Sequence, residues 1–574
     1  MKMNFKNRKN MKKHLLVSLL MGCALTQGLA QNSVEQMVTA SWRQTAPFNN
    51  ECPDGSAAGC GAIAVAQILN CYKMPAHGFG RATYEDVDVD FDSRMIDWTN
   101  IRDTYNQGEY SESEGKAVAS LVYQVGAAMK MKYSSSSSPH NFPSMMWGLQ
   151  HHLHFSPMSR YRHRRYYSTA EWIEMLDDEL QSGHPVFYRG DHTSPESGVV
   201  GHMYVIDGKN KDGLYHFNFG HDNKQQDKYA DLSIINQRNA AWAGSNSVSY
   251  HHRQAMVTDF YPVDGLTDND FDKTALVLCS PIVLGGQPYA TTIEVQGKVQ
   301  AKFQVRHVSF TGGPGQYSLG FYREGELADV AKTIRDMSFS DGGRAINVDR
   351  LFTLPDHLAD GDYVMSIISR DDADSQWVRG WDDAVNAVPV TVKNNVYTFH
   401  LPDYHALETK LYLGDEGIRE VDGATTDGKV LEFTVHNPSD NNFEENLRLV
   451  VSNQGDSYSY EMPTSIYSGQ KVTYRFRMSD TDIDTRNGYS AIAYYKEVNT
   501  DEWILLTDKT TNIRMPEGTA TDGLTIYTVN GSTIKHIAHQ DIDGTYASVL
   551  SNLPKGVDIV RDKNDTRIVV KRNQ

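Results

Sequence analysis

Cysteine is scarce: five residues in 574, far fewer than an exported protein built on disulfides would carry. Neither HExxH nor a paired CxxC occurs, so a zinc site from Cys60, His202 and a neighbour has no motif to support it. Acidic residues are not gathered into long blocks. The formal net charge of -17 is spread along the chain, which favours solubility and argues against nucleic acid as a partner. Low-complexity sequence is confined to the serines at 134–138, expected to be a flexible loop. The apolar run at 15–25 is too short to span a bilayer.

That run follows a basic stretch, MKMNFKNRKNMKKH, and precedes the small residues of GLAQN. The three parts form a secretory signal peptide over residues 1–30, with cleavage expected after Ala30. Leu20-Met21-Gly22-Cys23 is a competing lipoprotein box, but Met21 fits it poorly. Only about ten residues then separate Ala30 from Ser41.

The length exceeds what one hydrophobic core serves, and roughly 100–200 residues per domain gives about three or four domains. From Ser41 to about Pro262, helical apolar spacing (116–131 and 169–183) alternates with strand patterns such as PVFYRG and HMYVIDG, an α+β arrangement over 31–265. A polar, Gly- and Asp-rich break at 261–272 is the expected boundary. Strand signals separated by turns predict β-sandwich modules over 270–412 and 413–515. A small C-terminal β module is expected over 519–574.

The stretch DGSAAGCGAIAVAQIL, residues 54–69, carries Cys60. From Cys60 to about Lys73 every face is small or apolar, the pattern of a buried central helix, and Pro75 stops it. Cys60 stands on the first turn, where unsatisfied N–H groups and the macrodipole are expected to lower its pKa from the free value of about 8.5. A buried core thiol is the plainer alternative. A bridge to Cys71 is excluded, because eleven helical residues separate the Cα atoms by about 16 Å; one to Cys52 or Cys279 stays open.

A nucleophilic thiol needs a base and a group that orients it. GVVGHMYVIDGKNKDGLYHFNFG, residues 198–220, offers both as a β-hairpin. With 208–212 as the loop, Asp207 pairs with Gly213 and His202 faces Asn218 across the strands, close enough for the amide to hold the imidazole.

These blocks, with SWRQTAPFNNECP, LVYQVGAAMKMKY and WIEMLDDELQSGHPVFYRG in the same order, resemble the streptopain-type cysteine peptidases over roughly Ser41 to Asn236. The resemblance implies a fold class: an α+β papain-like catalytic domain, followed by all-β (β-sandwich) modules and a small C-terminal β module. It also implies Cys60 as nucleophile, His202 as base, Asn218 as orienter, and Gln44 as oxyanion-hole donor with the Cys60 N–H. Losing one such donor typically costs roughly a hundred- to a thousandfold in rate. Two departures touch the site: Phe219-Gly220-His221-Asp222-Asn223 replaces the family's Trp-Gly-Trp-Gly-Gly, and Met203 replaces a small residue. His221 or Asp222 is placed to perturb the base.

The C-terminal segment resembles type IX secretion sorting domains through Leu553-Pro554-Lys555-Gly556 and Ile568-Val569-Val570-Lys571. The expected protein is a secreted or cell-surface cysteine endopeptidase working through a Cys60 thioester, with no metal or organic cofactor. Its expected partners are protein or peptide substrates, export machinery at the C-terminal module and a proteinaceous inhibitor. The alternative is a catalytically weak scaffold whose β modules bind host protein or glycan.

Overall fold

The computed structural model describes residues 33–506 apart from interior segments, the longest being 233–249, together with the strands Gly523–Tyr527, Thr533–Ala538 and Ile559–Arg561. The leader, Ser135 to Ser137, Asp222, Asn223 and both C-terminal motifs lie outside the described residues. Contacts divide the chain into two units. The first takes in the helical region and the strands up to Tyr404; the strands after His405 belong to the second.

Four α-helices lie among the described residues: α1 (Cys60–Tyr72), α2 (Glu112–Ala128), α3 (Phe142–Leu153) and α4 (Thr169–Gln181). Every residue of α1 from Gly61 to Asn70 is buried, as its unbroken apolar pattern demands. Burying Ile63, Val65, Ile68 and Leu69 stabilises the fold by about 1.5–3 kcal/mol each. The helix ends as Lys73 turns left-handed (φ 54°) and its N–H bonds the Leu69 carbonyl. Capping boxes start α2 and α4: Ser111 with Glu114, and Ser168 with Glu171. The first box sets the start of α2 four residues before the expected position.

Two small hairpins, β1 (Arg81–Tyr84) with β2 (Val87–Asp90) and β3 (Met131–Lys132) with β4 (Ser138–Pro139), flank the helices in sequence. The main sheet comprises β5 (Arg160–His163), β6 (Val186–Ser194), β7 (Gly198–Lys209), β8 (Tyr215–Asn218), β9 (Lys228–Ala230) and β10 (His252–Thr258). Its order is β5-β10-β6-β7-β8-β9. Alternation along its strands gives it two apolar faces. Phe187, Met203, Val205 and Val257 pack with α1, α2 and α3, whereas Val186, Tyr188, Tyr204, Ile206 and Met256 pack with Trp172, Leu176 and Leu180 of α4.

The expected break at 261–272 does not isolate the next module. Val277, Val308 and Trp381 join the same core as α1, and the Arg160 guanidinium lies 5.2 Å over the Trp381 ring. That module is built of two sheets, one of four strands and one of eight. Its strand Lys298–His307 buries Val299, Ala301, Phe303 and Val305 at every second position. In the second unit, two four-stranded sheets are built around Lys429–His436 and Phe443–Ser452. Gly523–Tyr527, Thr533–Ala538 and Ile559–Arg561 form a separate three-stranded sheet. The α+β catalytic region followed by all-β modules is the fold class expected from the sequence.

Candidate active site

Cys60 is the first residue of α1, and Gly59 before it adopts φ 90°, a conformation that side-chain-bearing residues rarely take. The Cys60 side chain packs against the core that includes Met203, and the backbone N–H groups of Met203, Gly61 and Cys60 itself favour its thiolate. Met203 follows His202 directly, so this contact brings β7 onto the start of α1. All four cysteines in the described residues, Cys52, Cys60, Cys71 and Cys279, are free thiols.

His202 is buried, and its Nε2 lies 2.9 Å from the Phe219 carbonyl oxygen. A carbonyl only accepts, so the neutral ring carries its proton on Nε2 and keeps a lone pair on Nδ1. The expected pairing of His202 with Asn218 is not what forms. Asn218 stands opposite Val205, because Lys209 pairs with Tyr215 and the turn lies two residues past the expected loop; an irregularity between Ile206 and Gly208 moves the register back by one residue. The buried carboxylate of Asp207 sits in that irregular stretch. It accepts from the Val38 N–H at 2.6 Å and the Met37 N–H at 3.1 Å, and pairs with His216 Nδ1 at 2.6 Å.

Asn218 therefore acts one residue away from the imidazole. Its Nδ2 donates to the Ala40 carbonyl at 2.8 Å, its Oδ1 accepts from the Gly220 N–H at 3.2 Å, and its amide pairs with that of Gln67. These bonds hold the turn that presents the Phe219 carbonyl to His202. Gly220 completes it at φ 66°, where a Cβ would lie 2.9 Å from Ile63 Cγ2. Gln67 also accepts from the Trp42 N–H at 3.2 Å, and the Gln44 carbonyl accepts from the Ala58 N–H at 3.0 Å. The Gln44 backbone is thus tied two residues upstream of Cys60. Gln67 was missed in the sequence, although a glutamine at the centre of an apolar helix is itself a signal of a buried polar contact.

The aromatic cover over the base comes from His221, stacked on His202 with ring centroids 4.4 Å apart and planes within 8°, and from Tyr250 at 4.8 Å. Phe219, in the position of the family's first Trp, lies farther away at 6.2 Å. Arg189 and Arg253 flank the buried Asp191, at 3.0 Å and 2.7 Å.

Burial pushes the Cys60 thiol up from its ordinary value, against the pull of the three backbone N–H groups and the Arg189 charge. This corrects the expectation of a lowered pKa: the helix-end donors are there, but desolvation outweighs them. Burial likewise pushes His202 down to about 3, helped by the charge of His221 and opposed by the Phe219 carbonyl. Burial thus favours the uncharged form of both groups.

Residues 42–229 match the model of the Peptidase C10 family. The active wild-type interpain A cysteine protease of Prevotella intermedia is 30% identical over 40% of this chain and 95% of its own, with a TM-score of 0.36. The chain belongs to the peptidase C10 family. Streptopain of Streptococcus pyogenes is 26% identical over 219 residues, 36% of this chain and 53% of streptopain. The thiol protease/hemagglutinin PrtT of Porphyromonas gingivalis is 24% identical over 437 residues, 72% of this chain and 46% of PrtT. The chain spans about half the length of these curated relatives.

Proposed function

We propose that this peptidase C10 member is a cysteine endopeptidase in which Cys60 is the nucleophile and His202 the base. The observation that carries the reading is the packing of Cys60 against the core that includes Met203, the residue after His202, together with the Phe219 carbonyl on His202 Nε2. The first brings the base strand to the thiol; the second leaves Nδ1 as the proton acceptor.

In the proposed cycle Nδ1 takes the Sγ proton as sulfur attacks the peptide carbonyl carbon. The oxyanion is stabilised by the Cys60 N–H and the Gln44 side-chain amide. As the C–N bond breaks, the imidazolium returns the proton to the leaving amine, and a thioester remains. Water, losing a proton to His202, hydrolyses it to the acid and the free thiol. Asn218 is a positioning residue, acting through the Phe219 carbonyl.

The sorting-like C-terminal sequence and the leader support release to the cell exterior or surface. The relative PrtT is a thiol protease/hemagglutinin by name, and its match extends well past the peptidase segment. That supports a second, binding role for the strand modules, on host protein or glycan.

The test is hydrolysis of an unfolded protein substrate by the full chain and by Cys60→Ser and His202→Ala, with mass mapping of an epoxide thiol inhibitor. Loss of at least about a hundredfold in both variants, with the inhibitor on Cys60, is expected. Hydrolysis that survives Cys60→Ser, or its absence from the unmodified chain, overturns the reading.

A further inference from the structure

We propose that Arg189 and Arg253, gathered on the Asp191 carboxylate, form a carboxylate-binding subsite beside Cys60 that favours peptides with an aspartate or glutamate next to the scissile bond. The inference rests on the peptidase reading of Cys60.

Arg189 follows Phe187 by two along β6, so it shares the face turned to α1. Across the sheet Arg189 pairs with Ala255 and Asp191 with His252, and between these pairings the register of β10 is broken. Arg253 occupies the break in a left-handed conformation, φ 45°. Such backbone costs of order 1–3 kcal/mol and persists where its surroundings hold it. Here it accompanies a 2.7 Å ion pair between Arg253 Nε and Asp191 Oδ2. Asp191 is wholly buried, whereas the side chains of Arg189 and Arg253 are 30% and 45% exposed, so both cations reach solvent over a sequestered anion.

Gly201, the residue before His202, leaves room for this group: a Cβ there would lie 2.9 Å from Asp191 Oδ1 and 3.5 Å from Arg189 Nη2. The guanidinium thus lies against the strand of the base, and its charge acts on the Cys60 sulfur. Two guanidinium groups converge on the one Asp191 carboxylate. The charges acting on nearby His163 are Arg165, Arg189, His252 and Arg253, all of one sign. This positive ground lies in a chain whose net charge is -17. Partly desolvated guanidinium is suited to a carboxylate, which it can bind through two N–H groups.

The first experiment alkylates the full chain with iodoacetate, an anion, or with neutral iodoacetamide of similar size, and reads each cysteine by mass mapping. Cys71 is an internal control, because it is exposed and its charged neighbours include Asp207 and Asp103. The iodoacetate-to-iodoacetamide rate ratio at Cys60 is expected to exceed that at Cys71, to fall about tenfold in Arg189→Gln, and to fall with added NaCl in the unmodified chain. Arg253→Gln and the salt series keep the test decisive where Arg189→Gln does not fold. In a matched peptide pair, the Glu-to-Gln ratio of kcat/KM is expected to fall toward one in Arg189→Gln. Ratios unmoved by substitution and by salt mean that the trio only ties β6 to β10, and overturn the proposal. Failure of the peptidase reading shows separately, as absence of Cys60-dependent hydrolysis, which the alkylation ratio does not use.

Discussion

The two walls of the site are built from opposite materials. On the helix wall, α1 buries ten consecutive residues of which only Gln67 and Asn70 are polar. On the sheet wall, the buried set from β6 to β8 includes Asp191, His202, Asp207, His216 and Asn218. Apolar burial is indifferent to pH and tolerant of partner, whereas buried polar groups are stable only while each keeps its bond and its protonation state. Cys60, the proposed nucleophile, stands on the insensitive wall, and His202, the proposed base, on the sensitive one.

Acid is the strongest way to separate them. His202 is pushed down to about 3, and His163 well below its ordinary value, both chiefly by burial. The unfolded chain, with histidines near 6.5, takes up these protons first as pH falls. The stability that neutral burial contributes is therefore complete above about pH 6.5 and declines below it, by about 2 kcal/mol at pH 5 for His202. Hydrogen exchange compared at pH 7 and pH 5 is expected to show β7 and β8 losing protection while α1 keeps more of it. Equal loss on both walls, or none, would break the comparison. His307, lowered to about 4 by burial, adds the same dependence in the first β module.

The Gln67–Asn218 amide pair is where the walls meet, and cutting it sharpens the contrast. Gln67→Leu or Asn218→Leu leaves the other amide buried without its partner, at about 1–3 kcal/mol each. The double variant removes both orphaned groups, so its loss in urea unfolding should fall short of the sum by about 1 kcal/mol. Strict additivity would mean that the two amides act independently. Asn218→Leu is also expected to lower kcat more than Gln67→Leu, since it frees the turn that carries the Phe219 carbonyl.

Legibility followed the same division. The span of α1, its burial on all faces and the placing of Cys60 on its first turn followed from local pattern, because an apolar helix of 13 residues has one way to be satisfied. The start of α2 was written in Ser111 and Glu114, but apolar spacing alone put it later. The hairpin of β7 and β8 was recognisable, yet its register was not. Alternation sets which residues share a face but not where the turn falls, and the turn lies two residues past the expected loop. Arg189 and Arg253 meet through β10, a pairing with no local signature. The thiol's pKa was misjudged for the same reason: helix-end donors are local, and the desolvation that outweighs them comes from the sheet.

The smallest effect concerns His221, which belongs to neither wall but lies flat on the base. Phe at this position keeps a ring to stack and removes the charge. As pH falls, the half-buried His221 takes a proton before the deeper His202, and that charge is the second cause, after burial, of the low His202 pKa. His221→Phe therefore raises the His202 pKa, and the acid limb of kcat/KM, which requires the neutral base, moves to higher pH by less than about one unit. The other groups facing the imidazole, the Phe219 carbonyl and Tyr250, are unchanged by the substitution, so the shift reports the charge alone. Phe219→Trp is the matched control, since its ring lies 6.2 Å from His202 and carries no charge. A limb that moves equally in both variants would assign the effect to ring packing, and one that moves to lower pH in His221→Phe would reverse the sign of the coupling.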